Sequence, residues 1–160
     1  MMSERIVQRG LWFEEYDIGA IYEHRPGRTV TEADNVLFTT LTMNTQALHL
    51  DAAWSAQQPG FGGQRLINSM FTLSTIVGLS VAQLTQGTLV ANLGFGEVAF
   101  PAPLFAGDTL YGETECTGKR ESKSRPGEGI VNLTHIGRNQ HGEIVARATR
   151  STLVRKRPVE

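Results

Sequence analysis

The longest apolar stretch of the chain covers residues 65–83, with the sequence RLINSMFTLSTIVGLSVAQ. Apolar side chains recur there at the four- and three-residue intervals of one helix face: Leu66, Met70, Leu73 and Val77. Three more widen that face: Ile67, Ile76 and Val81. This spacing predicts a long, largely buried helix from about Arg65 to Gln83.

After this stretch the apolar period changes to two residues, which is typical of β-strands. The alternation covers residues 89–95, 110–116 and 144–148. Asn139-Gln140-His141-Gly142 predicts a hairpin turn between strands at 130–138 and 143–156. A long buried helix followed by antiparallel strands predicts an α+β domain over residues 1–160, in which a curved antiparallel sheet wraps the central helix. The edges of such a sheet favour pairing into a dimer.

The segment before the helix carries the candidate chemistry. Thr31 is the predicted N-cap of a helix that runs toward Asn44. His49 then follows in a predicted turn, and Asp51 is the predicted cap of a short helix over 52–58. The glycine-rich sequence GFGG at 60–63 comes next. An imidazole beside a helix N-terminus suits reactions in which negative charge develops on a carbonyl oxygen.

Composition narrows the class of protein. The chain has 160 residues, of which 40% are hydrophobic and 19% charged, a balance that fits one globular domain with a sizeable core. No apolar run approaches the ~20 residues that a membrane span needs. The N-terminus lacks the apolar stretch of a secretory signal, and the single Cys116 excludes an internal disulfide. We therefore expect a soluble cytoplasmic protein.

Charge is distributed unevenly along the chain. Residues 119–160 hold ten Lys or Arg against four acidic residues, whereas residues 1–118 hold five against twelve. Each basic residue taken singly is best interpreted as part of a solvated strand face. The basic residues of 119–160 taken together are interpreted as a docking surface for a small anionic ligand. No helix-turn-helix, zinc-finger or basic-aromatic pattern occurs, so nucleic acid is not an expected partner.

Taken together, these segments resemble the hotdog fold in its MaoC-like, (R)-specific enoyl-CoA hydratase branch. The resemblance runs from Phe13-Glu14-Glu15-Tyr16-Asp17-Ile18-Gly19 to the last strand. Its most specific parts are the Asn44…His49-Leu50-Asp51 segment, residues 63–69 and Phe105-Ala106-Gly107-Asp108-Thr109. Residues 119–126 and 139–142 resemble the subgroup of mesaconyl-CoA, β-methylmalyl-CoA and itaconyl-CoA hydratases.

The resemblance implies a hydration mechanism. In the family, an Asp and a His five residues apart activate a water that adds to C3 of a trans-2-enoyl thioester, while a proton goes to C2. His49 matches the histidine, and Asn44 stands where the family has Asp. Asparagine takes no proton, so His49 would be the sole acid–base, with Asn44 orienting water or substrate. The family's oxyanion amide at the start of the central helix would belong to Gly63 or Gln64.

The remaining implied site residues are polar or basic. Ser69 matches a serine that supports the catalytic pair in relatives. Arg65 would meet a second substrate carboxylate, or else be a solvated first-turn side chain. The candidates for binding CoA phosphates, or alternatively surface-loop residues, are Arg120, Lys123 and Arg125. No metal site and no prosthetic group are expected, CoA entering only as part of the substrate.

Three functions follow from these expectations. The first is a hydro-lyase acting on a short-chain, branched or dicarboxylic trans-2-enoyl-CoA, in a homodimer or an assembly of dimers. The second is a hotdog acyl-CoA thioesterase, against which stands the absence of any Asp or Glu in residues 66–83. The third is a non-catalytic acyl-CoA-binding subunit in which Asn44 marks lost chemistry. His24 is expected in a loop, His135 and His141 beside the hairpin turn, and Cys116 in a buried strand.

Overall fold

Five antiparallel strands form one sheet in the spatial order β1-β3-β4-β5-β2. The computed structural model describes residue 3 and residues 5–159. The strands are β1 (Ile21–Thr29), β2 (Leu89–Ala99), β3 (Thr109–Glu121), β4 (Glu128–Arg138) and β5 (Ile144–Arg155). The α-helices are α1 (Glu32–Leu41), α2 (Ala47–Leu50), α3 (Ala52–Ser55) and α4 (Ser69–Ser80). Helix α4 packs against β1, β3, β4 and β5, and a π-helical turn over Val81–Thr85 extends it.

The central helix begins four residues later than the sequence predicts. The Asn68 side chain accepts a hydrogen bond from the Met70 amide at 3.0 Å and caps α4. Before it, Leu66 forms an isolated β-bridge with Phe105, and the Ile67 amide donates to the Leu104 carbonyl at 2.9 Å. Residues 65–68 therefore lie outside the helix, because the sheet-like pairing and the asparagine cap make α4 begin at Ser69.

The buried face of α4 also differs from the predicted one. Met70 is 52% exposed and Phe71, which lies outside the predicted stripe, is buried, whereas Leu73 and Ile76 are buried as predicted. The residues of the core cluster are Val30, Ile67, Phe71, Leu73, Ile76, Leu104, Leu110, Val145, Ala146 and Ala148. In the first turn of α4, Phe71 takes the core position and Met70 is exposed.

Glycine at residue 137 lets α4 approach β4 closely. A Cβ added to Gly137 would lie 2.6 Å from Ile76 Cγ2 and 3.2 Å from Leu110 Cδ1. We expect Gly137→Ala to lower the free energy of unfolding by about 1–3 kcal/mol, because overpacking forces the helix away from the sheet. Urea denaturation measures this change, with Gly127→Ala as the control, since a Cβ at Gly127 meets no atom within 4 Å. Equal stability of the two variants would contradict the prediction.

Most other local predictions are confirmed. The Thr31 side chain accepts from the Asp34 amide at 3.3 Å, and α1 ends at Leu41. Asp51 Oδ1 accepts from the Trp54 amide at 2.9 Å, although α3 ends at Ser55 and not at residue 58. The hairpin at 139–142 joins β4 to β5 as expected.

Two predicted loops or turns are wrong. His49 lies in the one-turn helix α2. His24 lies in β1, where it is only 2% exposed. Neither segment shows the apolar periodicity of a helix or strand. In each, a histidine occupies the buried position that an apolar residue would occupy in a regular pattern. Within the described residues, no helix has the length and apolar content needed to cross a bilayer.

Candidate active site

The His49 ring is held in one tautomer. Its Nδ1 lies 2.8 Å from the main-chain carbonyl oxygen of Leu66, and the residue is 7% exposed. Because a carbonyl oxygen only accepts, Nδ1 carries a proton, and in the neutral ring Nε2 is the nitrogen with the lone pair. No described residue hydrogen-bonds Nε2, and Nε2 is not among the fully buried unpaired atoms, so it reaches the surface. The geometry gives His49 one accessible basic nitrogen.

Asn35 on α1 fixes the backbone around this imidazole. Its Nδ2 donates to the carbonyl oxygens of His49 at 3.2 Å and Leu66 at 3.0 Å. Its Oδ1 accepts from the Asn68 amide at 2.9 Å, and the Asn35 side chain is fully buried. One side chain thus ties α1, α2 and the entry to α4 together.

The sequence analysis missed this buried polar network. Asn68 Nδ2 extends it to Thr39 Oγ1 at 3.3 Å. Two signals were available in the sequence: an asparagine directly before an apolar helical run is typical of an N-cap, and Asn35 and Thr39 are one helical turn apart. Neither signal indicates a partner, because the network joins residues up to 33 positions apart.

A pocket of about 260 Å³ lies beside the His49 segment. Its lining comes from four segments: Gly60 and Phe61; Leu66, Ile67, Ser69 and Thr72; Phe100, Pro101, Ala102, Pro103 and Leu104; and Val145 on β5. The wall next to His49 is Leu66, the residue whose carbonyl binds the imidazole. Ser69, a predicted site residue, lies on the pocket wall at the first position of α4. The largely apolar lining suits an acyl group.

Asn44 lies in the turn between α1 and α2. Its amide donates to the Thr39 carbonyl at 3.0 Å, and its Oδ1 accepts from the Gln46 amide at 3.0 Å. One lone pair of the oxygen therefore shapes the turn, and Nδ2 has no hydrogen-bond partner among the described residues. Among the described residues, no hydrogen bond links Asn44 to His49.

Gly63 and Gln64 do not lie at the helix entry, so their predicted position is wrong. Both are exposed in the loop after the 3₁₀ turn Pro59–Phe61, five or six residues before Ser69. The Gln64 amide already donates to the Phe61 carbonyl at 3.0 Å. Because a helix leaves its own first amides without intrahelical acceptors, the amide of Ser69 is the better-placed donor.

Arg65 is neutralised within the protein. Its guanidinium forms an ion pair with Glu32 on the first turn of α1 and donates to the Leu50 carbonyl at 3.3 Å. The partner of Arg65 in the structure is therefore the Glu32 carboxylate, whereas the resemblance suggested a carboxylate of the substrate.

Arg120, Lys123 and Arg125 lie at the opposite end of the sheet from His49. Strand β5 starts next to the pocket residue Val145 and ends at Arg155, which lines a separate cleft with Arg125. At about 3.3 Å per residue, these two ends are on the order of 30 Å apart. Within one chain, the structure does not bring the three basic residues to the His49 site.

Cys116 lies in a buried strand, as the sequence predicts. Burial raises the pKa of its thiol, which disfavours the thiolate that a nucleophile requires. In residue 3 and residues 5–159, no cluster of three or more His, Cys, Asp or Glu side chains is arranged to hold a metal ion.

Comparison with known families assigns this architecture. Residues 14–139 match the model of the MaoC like domain. The chain belongs to the MaoC-like family. The MaoC-like chain is 32% identical over 148 residues to the β-methylmalyl-CoA dehydratase of Chloroflexus aurantiacus and 31% identical to the mesaconyl-CoA hydratase of Cereibacter sphaeroides. Each alignment covers 92% of this chain but only 41% and 42% of the relative, so the chain spans about two fifths of their length.

Superposition on solved structures identifies the fold of this MaoC-like protein. A monoamine oxidase regulatory protein from Archaeoglobus fulgius superposes with a TM-score of 0.82 at 31% identity, over 96% of this chain and all of that one. RV0216 of Mycobacterium tuberculosis, which has a double hotdog fold, superposes with a TM-score of 0.80 at 23% identity, over 94% of this chain and 46% of that one. The predicted fold, an α+β hotdog with an antiparallel sheet around a central helix, is confirmed.

Proposed function

We propose that this MaoC-like protein is a hydro-lyase that adds water to, or removes it from, a short-chain, branched or dicarboxylic trans-2-enoyl-CoA thioester. The observation that carries the proposal is the His49 imidazole, whose Nδ1 is fixed by the Leu66 carbonyl and whose Nε2 binds no other residue that the structure describes. Family membership supports the reaction class, and the names of the two curated relatives support a CoA thioester.

In the proposed reaction, His49 moves one proton. Nε2 takes a proton from water as the water oxygen bonds to C3, and the imidazolium returns a proton to C2, so the sum is the addition of one water. The thioester oxygen gains negative charge between these events. The Ser69 amide at the N-terminus of the twelve-residue helix α4 is the proposed donor to that oxygen, and Asn44 Nδ2 is the proposed donor to the water.

A homodimer is part of the proposal. Strand β2 is an edge strand with a free side, and it exposes Leu93 at 50%, Phe95 at 40% and Val98 at 38%. An exposed apolar edge strand favours pairing with the edge strand of another sheet. Within one chain, Arg120, Lys123 and Arg125 lie too far from His49 to bind the same substrate molecule. If they bind CoA phosphates, the CoA would be the one whose acyl group lies at the His49 site of the other chain.

The loss of the conjugated enoyl-thioester absorbance tests this function. We expect the purified protein to consume crotonyl-CoA or mesaconyl-CoA, with itaconyl-CoA followed by mass because its double bond is not conjugated. The preferred substrate identifies the acyl class. Release of free CoA thiol without water addition would establish the thioesterase alternative. Binding without turnover of any of the three would establish a non-catalytic subunit.

A further inference from the structure

A row of buried polar side chains crosses the inner face of the sheet, away from the candidate active site. His24 on β1, Thr114 on β3, His135 on β4 and Arg150 on β5 are exposed by 2%, 0%, 0% and 5%. A strand position that faces the core is normally apolar, so four polar residues in a row need a physical reason. None of them takes part in the proposed hydration.

Three hydrogen bonds join most of this row into a chain. Gln83 Oε1, on the π-helical turn, lies 2.8 Å from His24 Nδ1. His24 Nε2 contacts Thr114 Oγ1 at 2.8 Å, and Thr114 Oγ1 contacts His135 Nδ1 at 2.9 Å. Each of these groups is satisfied. The chain therefore ends at His135 Nε2.

Two atoms of the row have no partner. His135 Nε2 and Arg150 Nη1 are both buried and both without a hydrogen bond among the described residues. Arg150 pairs with Leu133 on β4, two residues before His135, so His135 and Arg150 are diagonal neighbours on one face. Diagonal neighbours are about 7–8 Å apart between Cα atoms, close enough for two long side chains to bind one small ligand.

Arg150 is also an uncompensated cation. Its Nε donates to Asn92 Oδ1 at 3.1 Å, and no carboxylate among the described residues pairs with it. Burial and the Arg150 charge lower the pKa of His135 to about 3, and burial lowers that of His24, so both imidazoles are neutral. Burial raises the pKa values of Tyr16 and Cys116, which keeps both uncharged as well. No described carboxylate therefore pairs with Arg150. Its Nη2 is not among the fully buried unpaired atoms and reaches the surface, whereas Nη1 is buried without a partner, which is costly for a charged group.

The hydrogen-bond chain supports a second donor at the same place. A 180° turn of the exposed Gln83 amide reverses every donor and acceptor from Gln83 to His135, since histidine tautomers and hydroxyl rotors follow their partners. In that order His135 Nδ1 accepts from Thr114, and His135 Nε2 carries a proton. His135 Nε2–H and Arg150 Nη1–H are then two buried, unpaired donors on neighbouring strands, which is the donor set of an anion.

We propose that His135 and Arg150 together bind a small monovalent anion of the halide class inside the sheet–helix core. The anion accepts from His135 Nε2–H and Arg150 Nη1–H and neutralises the guanidinium. A bridging water would satisfy the two atoms but leave the charge of Arg150 unbalanced. This site is independent of the proposed hydratase reaction.

Thermal and urea unfolding in chloride against gluconate, at constant ionic strength, tests the site. Once chloride exceeds its dissociation constant, each tenfold rise in chloride should raise the folding equilibrium constant about tenfold. Arg150→Met should abolish this dependence. Arg147→Met, an exposed arginine on the same strand, should keep it. Equal stability of the wild type in chloride and gluconate would overturn the proposal.

A crystal of the wild-type protein soaked in bromide gives a test that needs no variant. We expect an anomalous peak within hydrogen-bonding distance of both His135 Nε2 and Arg150 Nη1. Water density at that position, without an anomalous signal, would overturn the proposal even if Arg150→Met does not fold.

Discussion

Replacing His49 with alanine should lower kcat/KM for the preferred enoyl-CoA by roughly 10²- to 10⁴-fold, the range that positioned general acid–base groups contribute. His49 Nε2 has no hydrogen-bond partner among the described residues, its ring is bound to the pocket residue Leu66, and Asn44 cannot accept a proton. The loss should fall mainly on kcat, because the imidazole acts on the reacting water and not on the CoA moiety. Steady-state rates from the absorbance assay measure it.

The control for this prediction is His141→Ala. His141 is an exposed histidine in the β4–β5 hairpin, so its removal alters the same residue type away from the pocket. We expect kcat/KM within twofold of the wild type, about 0.4 kcal/mol on the RT scale. An active His49→Ala protein with a native circular dichroism spectrum would rule out the proposed acid–base role.

Replacing Asn35 with leucine should lower the free energy of unfolding by about 2–4 kcal/mol. The leucine fills a similar volume but removes one acceptor and two donors. The Asn68 amide and the His49 carbonyl would then be buried without their partner, while Leu66 would keep only its bond from the imidazole. We also expect kcat to fall, because the backbone that orients His49 loses its link to α1. Urea denaturation and the absorbance assay measure the two effects.

Thr40→Leu is the matched control for this substitution. Thr40 is exposed on the same helix, so the change is again polar to apolar but leaves the network intact. Its effect should stay within about 0.5 kcal/mol, as is usual for surface positions. If both variants were equally stable, Asn35 would not be the residue that holds the site together.

Much of the fold was predictable because it depends on local chemistry. Thr31 and Asp51 are short polar side chains placed to accept from first-turn amides, and both cap helices as expected. The hairpin at 139–142 ends in Gly142 with φ +80°, a conformation that glycine adopts without strain. Such features are decided within four residues, so the sequence alone carries them.

The site was less predictable because it depends on long-range pairing. His49 was identified through a family motif, but its partner is a main-chain carbonyl seventeen residues away. Asn68 decides where α4 begins, and it does so with help from Asn35 on another helix. The burial of His24 and His135 was missed because polar residues on a core-facing strand look like solvent-exposed ones until the neighbouring strands are known.

The distance between the basic residues and His49 was also not predictable from the sequence. Charge counting finds that residues 119–160 are basic, but it contains no information on which end of a strand each residue occupies. Arg125 and Val145 are twenty residues apart in sequence, yet the hairpin geometry puts them at opposite ends of the sheet.

The bond from His49 to a main-chain carbonyl has an evolutionary consequence. Every residue type offers the same carbonyl oxygen, so the side chain at position 66 can drift without changing the imidazole tautomer. Selection for the orientation of the histidine would then act on the path of the backbone, through Asn35 and Asn68, more than on its direct neighbour. Divergent members of the lineage can therefore preserve this arrangement while the side chain of the residue that binds the histidine changes.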